Sequence, residues 1–133
     1  IRQRTVVLDV AHNEHGVTFL LDQLAQFRAG QSANIGQVHV VFSMLADKDI
    51  KSVVNQLAQS VYSWHIASMS VLRAAPIQRL RDAVHGLNVQ EYDSVAQAVE
   101  SALLHSQAQD IVLVCGSFHT LEAVWGLLHH GNE

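Results

Sequence analysis

The sequence predicts a Rossmann-like α/β domain with three layers, a mostly parallel open sheet with helices on both faces. Two observations lead there. Short apolar runs alternate along the chain with stretches whose apolar residues recur at helical spacing, the pattern of βαβ units. The clearest run, Ile111 to Cys115, is five apolar residues without interruption. Strands covered on both faces read that way, and such coverage goes with parallel sheets.

Taken in order, Thr5 to Ala11 reads as the first strand. Val17, Leu20, Leu21, Leu24 and Phe27 then form one apolar stripe of a helix. The small, polar segment from Ala29 to Gln37, with two glycines, suits a surface loop. Val38 to Leu45 is the second strand and flows into Ala46-Asp47-Lys48-Asp49, where either aspartate can cap a helix striped with Ile50, Val53, Val54, Leu57 and Val61. Trp64 to Met69 is a third strand. Pro76, the sole proline, suits the first turn of a helix carrying Ile77, Leu80 and Val84, and Gly86 ends it. Leu87 to Tyr92 reads as a short strand. Ser94 caps a helix with Val95, Val99 and Leu103 on one side. After Ile111–Cys115, the segment Gly116-Ser117-Phe118-His119-Thr120 turns the chain into a last helix lined by Leu121, Val124, Trp125 and Leu128.

Size and composition narrow the function classes. The 133 residues make one domain, large enough to bury roughly two-thirds of its unfolded surface. Charged residues are 15% of the chain, against about a quarter in typical soluble domains, which points to surface covered by a neighbouring domain or subunit. A net charge of −4 offers no basic stripe for nucleic acid or an anionic membrane. The single cysteine, Cys115, excludes an internal disulfide framework and fits a reducing cytoplasm. No apolar stretch approaches bilayer-spanning length, and no signal peptide opens the chain. The start, Ile1-Arg2-Gln3-Arg4, has no initiator Met and leads almost at once into a strand, so the chain reads as a piece of something longer.

Three polar turns stand out: Asp9 to Asn13, Asp47 to Asp49, and Gly116 to Thr120. Each follows an apolar strand, so a parallel sheet would bring all three to one edge, where open α/β sheets bind ligands. Asp9 sits inside an apolar run, where a carboxylate is costly without a partner. One reading makes Asp9, His12 and Asn13 a ligand site. The other pairs Asp9 with His12 and lets Asn13 cap the next helix. At Gly116–Thr120 the free N–H groups of a helix start suit a carboxylate or phosphate, although plain capping by Ser117 or Thr120 explains the same residues. Nucleophilic catalysis finds no Gly-x-Ser-x-Gly elbow, and Cys115 ends an apolar strand as inert thiols do. The nine histidines show no metal-site spacing, and His129-His130 points to two helix faces. Both the Gly-x-x-x-x-Gly-Lys-Ser/Thr phosphate loop and Gly-x-Gly-x-x-Gly are missing, so any nucleotide phosphate seat would have to come from elsewhere.

At the same three turns the chain resembles the C-terminal domain of the bacterial bifunctional dihydrofolate synthase/folylpolyglutamate synthase family, within the Mur ligase superfamily. The matching pieces are Val7-Leu8-Asp9-Val10-Ala11-His12-Asn13, Val41-Phe42-Ser43-Met44-Leu45-Ala46-Asp47-Lys48-Asp49 and Cys115-Gly116-Ser117-Phe118-His119-Thr120. Their order and separation agree too, so the resemblance spans essentially residues 1–133 as a glutamate-binding C-terminal domain. Glu14 departs from it, standing where the family usually has proline, as does His15, where a small residue is common. The resemblance implies an ATP-dependent carboxylate–amine ligase. ATP phosphorylates the carboxylate of dihydropteroate or a folate, and the amine of L-glutamate attacks the acyl phosphate. It places Asp9 against ATP, His12 at the reacting phosphate or the glutamate, and Ser117 on a glutamate carboxylate. Asp9 and His12 are then the catalytic candidates, while Asn13, Asp47 and Lys48 face the cleft without an assigned ligand. The family's phosphate loop, magnesium ligands and most of the pterin site belong to an N-terminal ATPase domain outside this chain, as does a Pro-Gly-Arg segment before the first strand. ATP and Mg2+ are accordingly cofactors of the full-length enzyme, the fragment holds none tightly and is inactive alone, and the parent is a cytoplasmic monomer. Two alternatives stay open: a non-catalytic α/β docking module whose turns only cap helices, and the C-terminal domain of another Mur-type amino-acid ligase.

Overall fold

The computed structural model describes residues 5–8, 18–23, 26, 36–46, 48–69, 72–107 and 110–115. Five strands form one sheet: β1 (Thr5–Leu8), β2 (Val38–Phe42), β3 (Ser63–Ile66), β4 (Val89–Glu91) and β5 (Ile111–Cys115). Their order is β1-β5-β2-β3-β4, and every pairing is parallel. Helices connect them: α1 over residues 18–23, α2 (Ile50–Leu57) with a 3-10 turn at Ala58–Ser60, α3 (Ile77–Ala83) and α4 (Val95–His105).

Burial on both sides of the sheet explains the unbroken apolar runs. Alternate residues of β2 and β5 face opposite layers. Val38, Val40, Phe42, Ile111, Leu113 and Cys115 pack with Trp64, Ile66 and the apolar faces of α2 and α3, joined by Leu20 of α1. The rings of Phe42 and Trp64 meet edge to face at 5.6 Å in this layer. Val41, Val112 and Val114 face the other way, against Val95, Ala98, Val99 and Ala102 of α4. The chain steps outward from β2 to β3 and β4 with helices on one face. It then returns through α4 on the opposite face to insert β5 between β1 and β2, as right-handed crossovers require when direction reverses. The three-layer expectation holds.

Boundaries differ in instructive places. Ile111–Cys115 is the strand as read. The second strand stops at Phe42 rather than Leu45, because Ser43 and Met44 continue buried but irregular and Leu45 bridges antiparallel to Ala74. The third strand begins one residue early, at Ser63, and ends at Ile66. Pro76 is the N-cap of α3 rather than a residue of its first turn. Asp49, not Asp47, is the residue that caps α2, accepting from Ser52 N at 3.2 Å. Ser94 caps α4 as expected, accepting from Gln97 N at 3.2 Å. Its buried stripe includes Ala98 and Ala102, small residues that let the helix lie close on the sheet. Gly86, at φ +86°, supplies the left-handed residue that closes the turn after α3. The readings at Val17, Leu24, Phe27, Ala29–Ile35 and Gly116–Leu128 fall outside the described residues.

Candidate functional site

The three strands that lead into the three polar turns are neighbours. β1, β5 and β2 lie side by side, and their carboxyl ends are level: Leu8 and Val41 both face Val114, and Phe42 faces Cys115. Parallel pairing therefore sends the chain out of all three strands at one edge, the edge at which doubly wound sheets take ligands. Asp9, His12, Asn13, Asp47 and Ser117 themselves lie outside the described residues. Lys48 is described. It is half-buried, its N–H donates to Leu45 O at 3.3 Å, and its carbonyl accepts from Ile50 N at 3.0 Å.

The turn beyond β2 is built from two directions. Ala75 N donates to Met44 O at 2.9 Å and Ala46 N to Arg73 O at 2.8 Å, so residues 73–75 form a short antiparallel ribbon with residues 44–46. Ser68 Oγ donates to Ala75 O at 2.7 Å and ties this ribbon to the end of β3. From α3, Arg79 Nη1 donates to Ala46 O, and Nη2 donates to Lys48 O at 3.1 Å. The sequence reading missed Arg79, since nothing local marks an exposed helix arginine as the partner of a turn some thirty residues back.

A second polar constellation occupies the opposite, amino-terminal end of the sheet. Asp110, just before β5, is buried and accepts from Gln107 N and Gln37 N, each at 2.9 Å. Burial alone would raise its pKa, but those bonds and the one from His39 outweigh it and hold the carboxyl below its usual range. An ionised carboxylate only accepts, so His39 Nε2–H donates to Asp110 Oδ2 at 2.9 Å. Ser63 Oγ lies 2.6 Å from His39 Nδ1 and 3.0 Å from His65 Nε2, and His65 Nδ1 lies 2.9 Å from Tyr92 Oη, which donates to Gln90 Oε1 at 3.1 Å. Ser101 Oγ, on α4, lies 2.7 Å from Tyr92 Oη. The chain links β2, β3, β5 and α4 through groups that would otherwise be orphaned under the helix layer. The sequence reading missed this as well. Its only signal was a polar residue at one phase of an apolar strand, His39 directly opposite Ser63.

Burial, together with the neighbouring imidazoles of His39 and His105, lowers the pKa of His65 from 6.5 to about 4. A histidine whose folded pKa is depressed stabilises the fold above its unfolded value, and that contribution is lost as pH falls from 6.5 towards 4. The expected loss from this group is about 3 kcal/mol across that window. Urea midpoints should be flat from pH 8 to 7 and decline below 6.5, and the His65 imidazole signals should titrate near pH 4. A midpoint near 6.5 for that ring would overturn the assignment.

Comparison with known proteins shows the family. The family model described as "Mur ligase, glutamate ligase domain" matches residues 1–118. The chain belongs to that family. This glutamate ligase domain is 38% identical over 119 residues to the dihydrofolate synthase/folylpolyglutamate synthase of Escherichia coli K12, covering 90% of this chain and 26% of the relative. A crystal structure of the bifunctional folylpolyglutamate synthase/dihydrofolate synthase of Yersinia pestis, complexed with AMPPNP and a Mn ion, superposes with a TM-score of 0.83 at 35% identity, over 96% of this chain and 29% of that one. A structure of such an enzyme with Mn, AMPPNP and L-glutamate bound matches with the same score, identity and coverage. The glutamate ligase domain thus spans little more than a quarter of the length of the relatives it matches.

Proposed function

We propose that this chain is the glutamate-delivering half of an ATP-dependent ligase that joins L-glutamate to dihydropteroate or folates, working against an N-terminal ATPase domain carried on a longer chain. What supports this most is the level alignment of the carboxyl ends of β1, β5 and β2, from which the chain runs into the Asp9, Ser117 and Asp47 turns. In this reading the turns share one rim. Asp9 lies against the nucleotide, His12 at the acyl phosphate or the incoming amine, and Ser117 on a glutamate carboxylate with helix N–H groups behind it. Asn13, Asp47 and Lys48 line the cleft. The domain contributes by positioning and charge stabilisation, without a covalent intermediate of its own.

Among the described residues no group of three or more histidines, cysteines or acids can hold a metal ion. The described part of the chain does not fit a seat for Mg2+, and the reading leaves magnesium and the nucleotide phosphates to the partner domain. No helix among the described residues is long and apolar enough to cross a membrane. The deciding experiment measures ADP release with dihydropteroate or folate and L-glutamate, from this chain alone and from its full-length parent. The chain alone should release none above background, while the parent should require both substrates. Turnover by the isolated chain, or a parent indifferent to glutamate, would defeat the proposal.

A further inference from the structure

Arg79 is an exposed residue of α3, and both of its side-chain hydrogen bonds end on the turn after β2. One arm of the guanidinium meets the carbonyl of Ala46 and the other that of Lys48, the residues on either side of Asp47. Among the described residues no carboxylate forms an ion pair with Arg79. The planar fork holds two carbonyls in fixed relation from two nitrogens, whereas a lysine would have to reach both from the rotatable donors of one ammonium. Below the clamp the turn is anchored by the 73–75 ribbon, and beyond it Asp49 caps α2. β2 also neighbours β5 directly, with Phe42 opposite Cys115, so the clamped turn follows the strand next to the one that leads to Ser117.

We infer that Arg79 is a positioning residue for the glutamate site, gripping the backbone beyond β2 at the carbonyls of Ala46 and Lys48. The inference deepens the proposed ligase function and rests on it for the identity of the ligand. The backbone clamp itself is testable without activity. Hydrogen exchange of the chain should show the amides of residues 46–50 opening about tenfold faster in Arg79→Ala, as expected for loss of charge-assisted bonds. Arg79→Lys should restore protection only in part. Gln78→Ala, one residue away on the same helix, should leave the turn unchanged. In the full-length ligase Arg79→Ala should raise KM for glutamate about tenfold, with kcat within twofold and KM for ATP unchanged, and Gln78→Ala should do neither. Unchanged exchange in Arg79→Ala overturns the clamp whatever the kinetics. Faster exchange with an unaltered glutamate KM overturns its role in the site. If the unmodified parent shows no glutamate dependence at all, the ligase reading falls while the exchange data still uphold the clamp.

Discussion

Asp9→Ala and His12→Ala, each introduced into the full-length parent, should lower kcat by about 100-fold or more under the proposed function, the scale seen when a group facing developing charge is removed. Both residues follow β1, a strand whose neighbour β5 sends the chain towards Ser117 from the same edge. The expectation separates site from scaffold. A residue used for positioning and charge at the reacting phosphate should cost turnover, while unfolding midpoints measured on the same variants should move by no more than about 1 kcal/mol, as for substitutions outside the core. Asn13→Ala, which the proposed function puts at the cleft without a reacting partner, should fall between the wild type and these two. Full turnover in both the Asp9 and His12 variants would remove them from the site, and a parallel collapse of stability would make them structural.

The second large effect is on folding. Asp110→Ala should destabilise the chain by about 3 kcal/mol or more in urea unfolding, because one deletion strips the acceptor from three donors at once: Gln107 N, Gln37 N and His39 Nε2. The buried His39 donor left without a partner costs on the order of 1–3 kcal/mol, and the part-buried Gln37 and Gln107 amides, which water can reach, cost less. Asp110→Asn is the sharper probe. It preserves shape and keeps one acceptor oxygen but replaces the other with a donating NH2, so it should recover only part of the loss. The pH signature differs from that of His65. Asp110 has a depressed folded pKa, so its contribution is complete above the ordinary carboxylate value and disappears as pH falls through the lower folded one. The wild type should therefore weaken in two stages on acidification, and the alanine variant should lose the lower stage. A cost below about 1 kcal/mol, with both stages intact, would show that the network is ornamental to stability.

How far the sequence reveals the molecule depends on whether the signal is local. Ile111–Cys115 is legible because five consecutive apolar residues leave few alternatives. Ser94 is legible because a cap and its helix are adjacent in the chain. β4 is harder: Val89–Glu91 lies at the end of the strand order, half-buried and exposed, and its limits within Leu87–Tyr92 come from pairing with β3. The His39–Ser63–His65 run is illegible in one dimension, since it exists only when β2 and β3 align in one particular register. Arg79 is hidden for the same reason, its partners lying 33 and 31 residues away. At the candidate site, the turns drew notice through composition and through resemblance to a family. The structure adds the adjacency of their parent strands and the clamp behind one of them, while Asp9, His12, Asn13, Asp47 and Ser117 lie outside the described residues.

Placing β5 between β1 and β2 also has a consequence for how the protein is made. The strand that joins β1 to the rest of the sheet is the last of the five described strands to be synthesised, and β1 must wait for it while the other three are made. Until Cys115 clears the ribosome, β2 presents a bare backbone edge and Thr5–Leu8 has no ladder to join, a condition that invites mispairing between nascent chains. Closure of the sheet is thus a late, long-range event, and folding should be slow for a domain of this size.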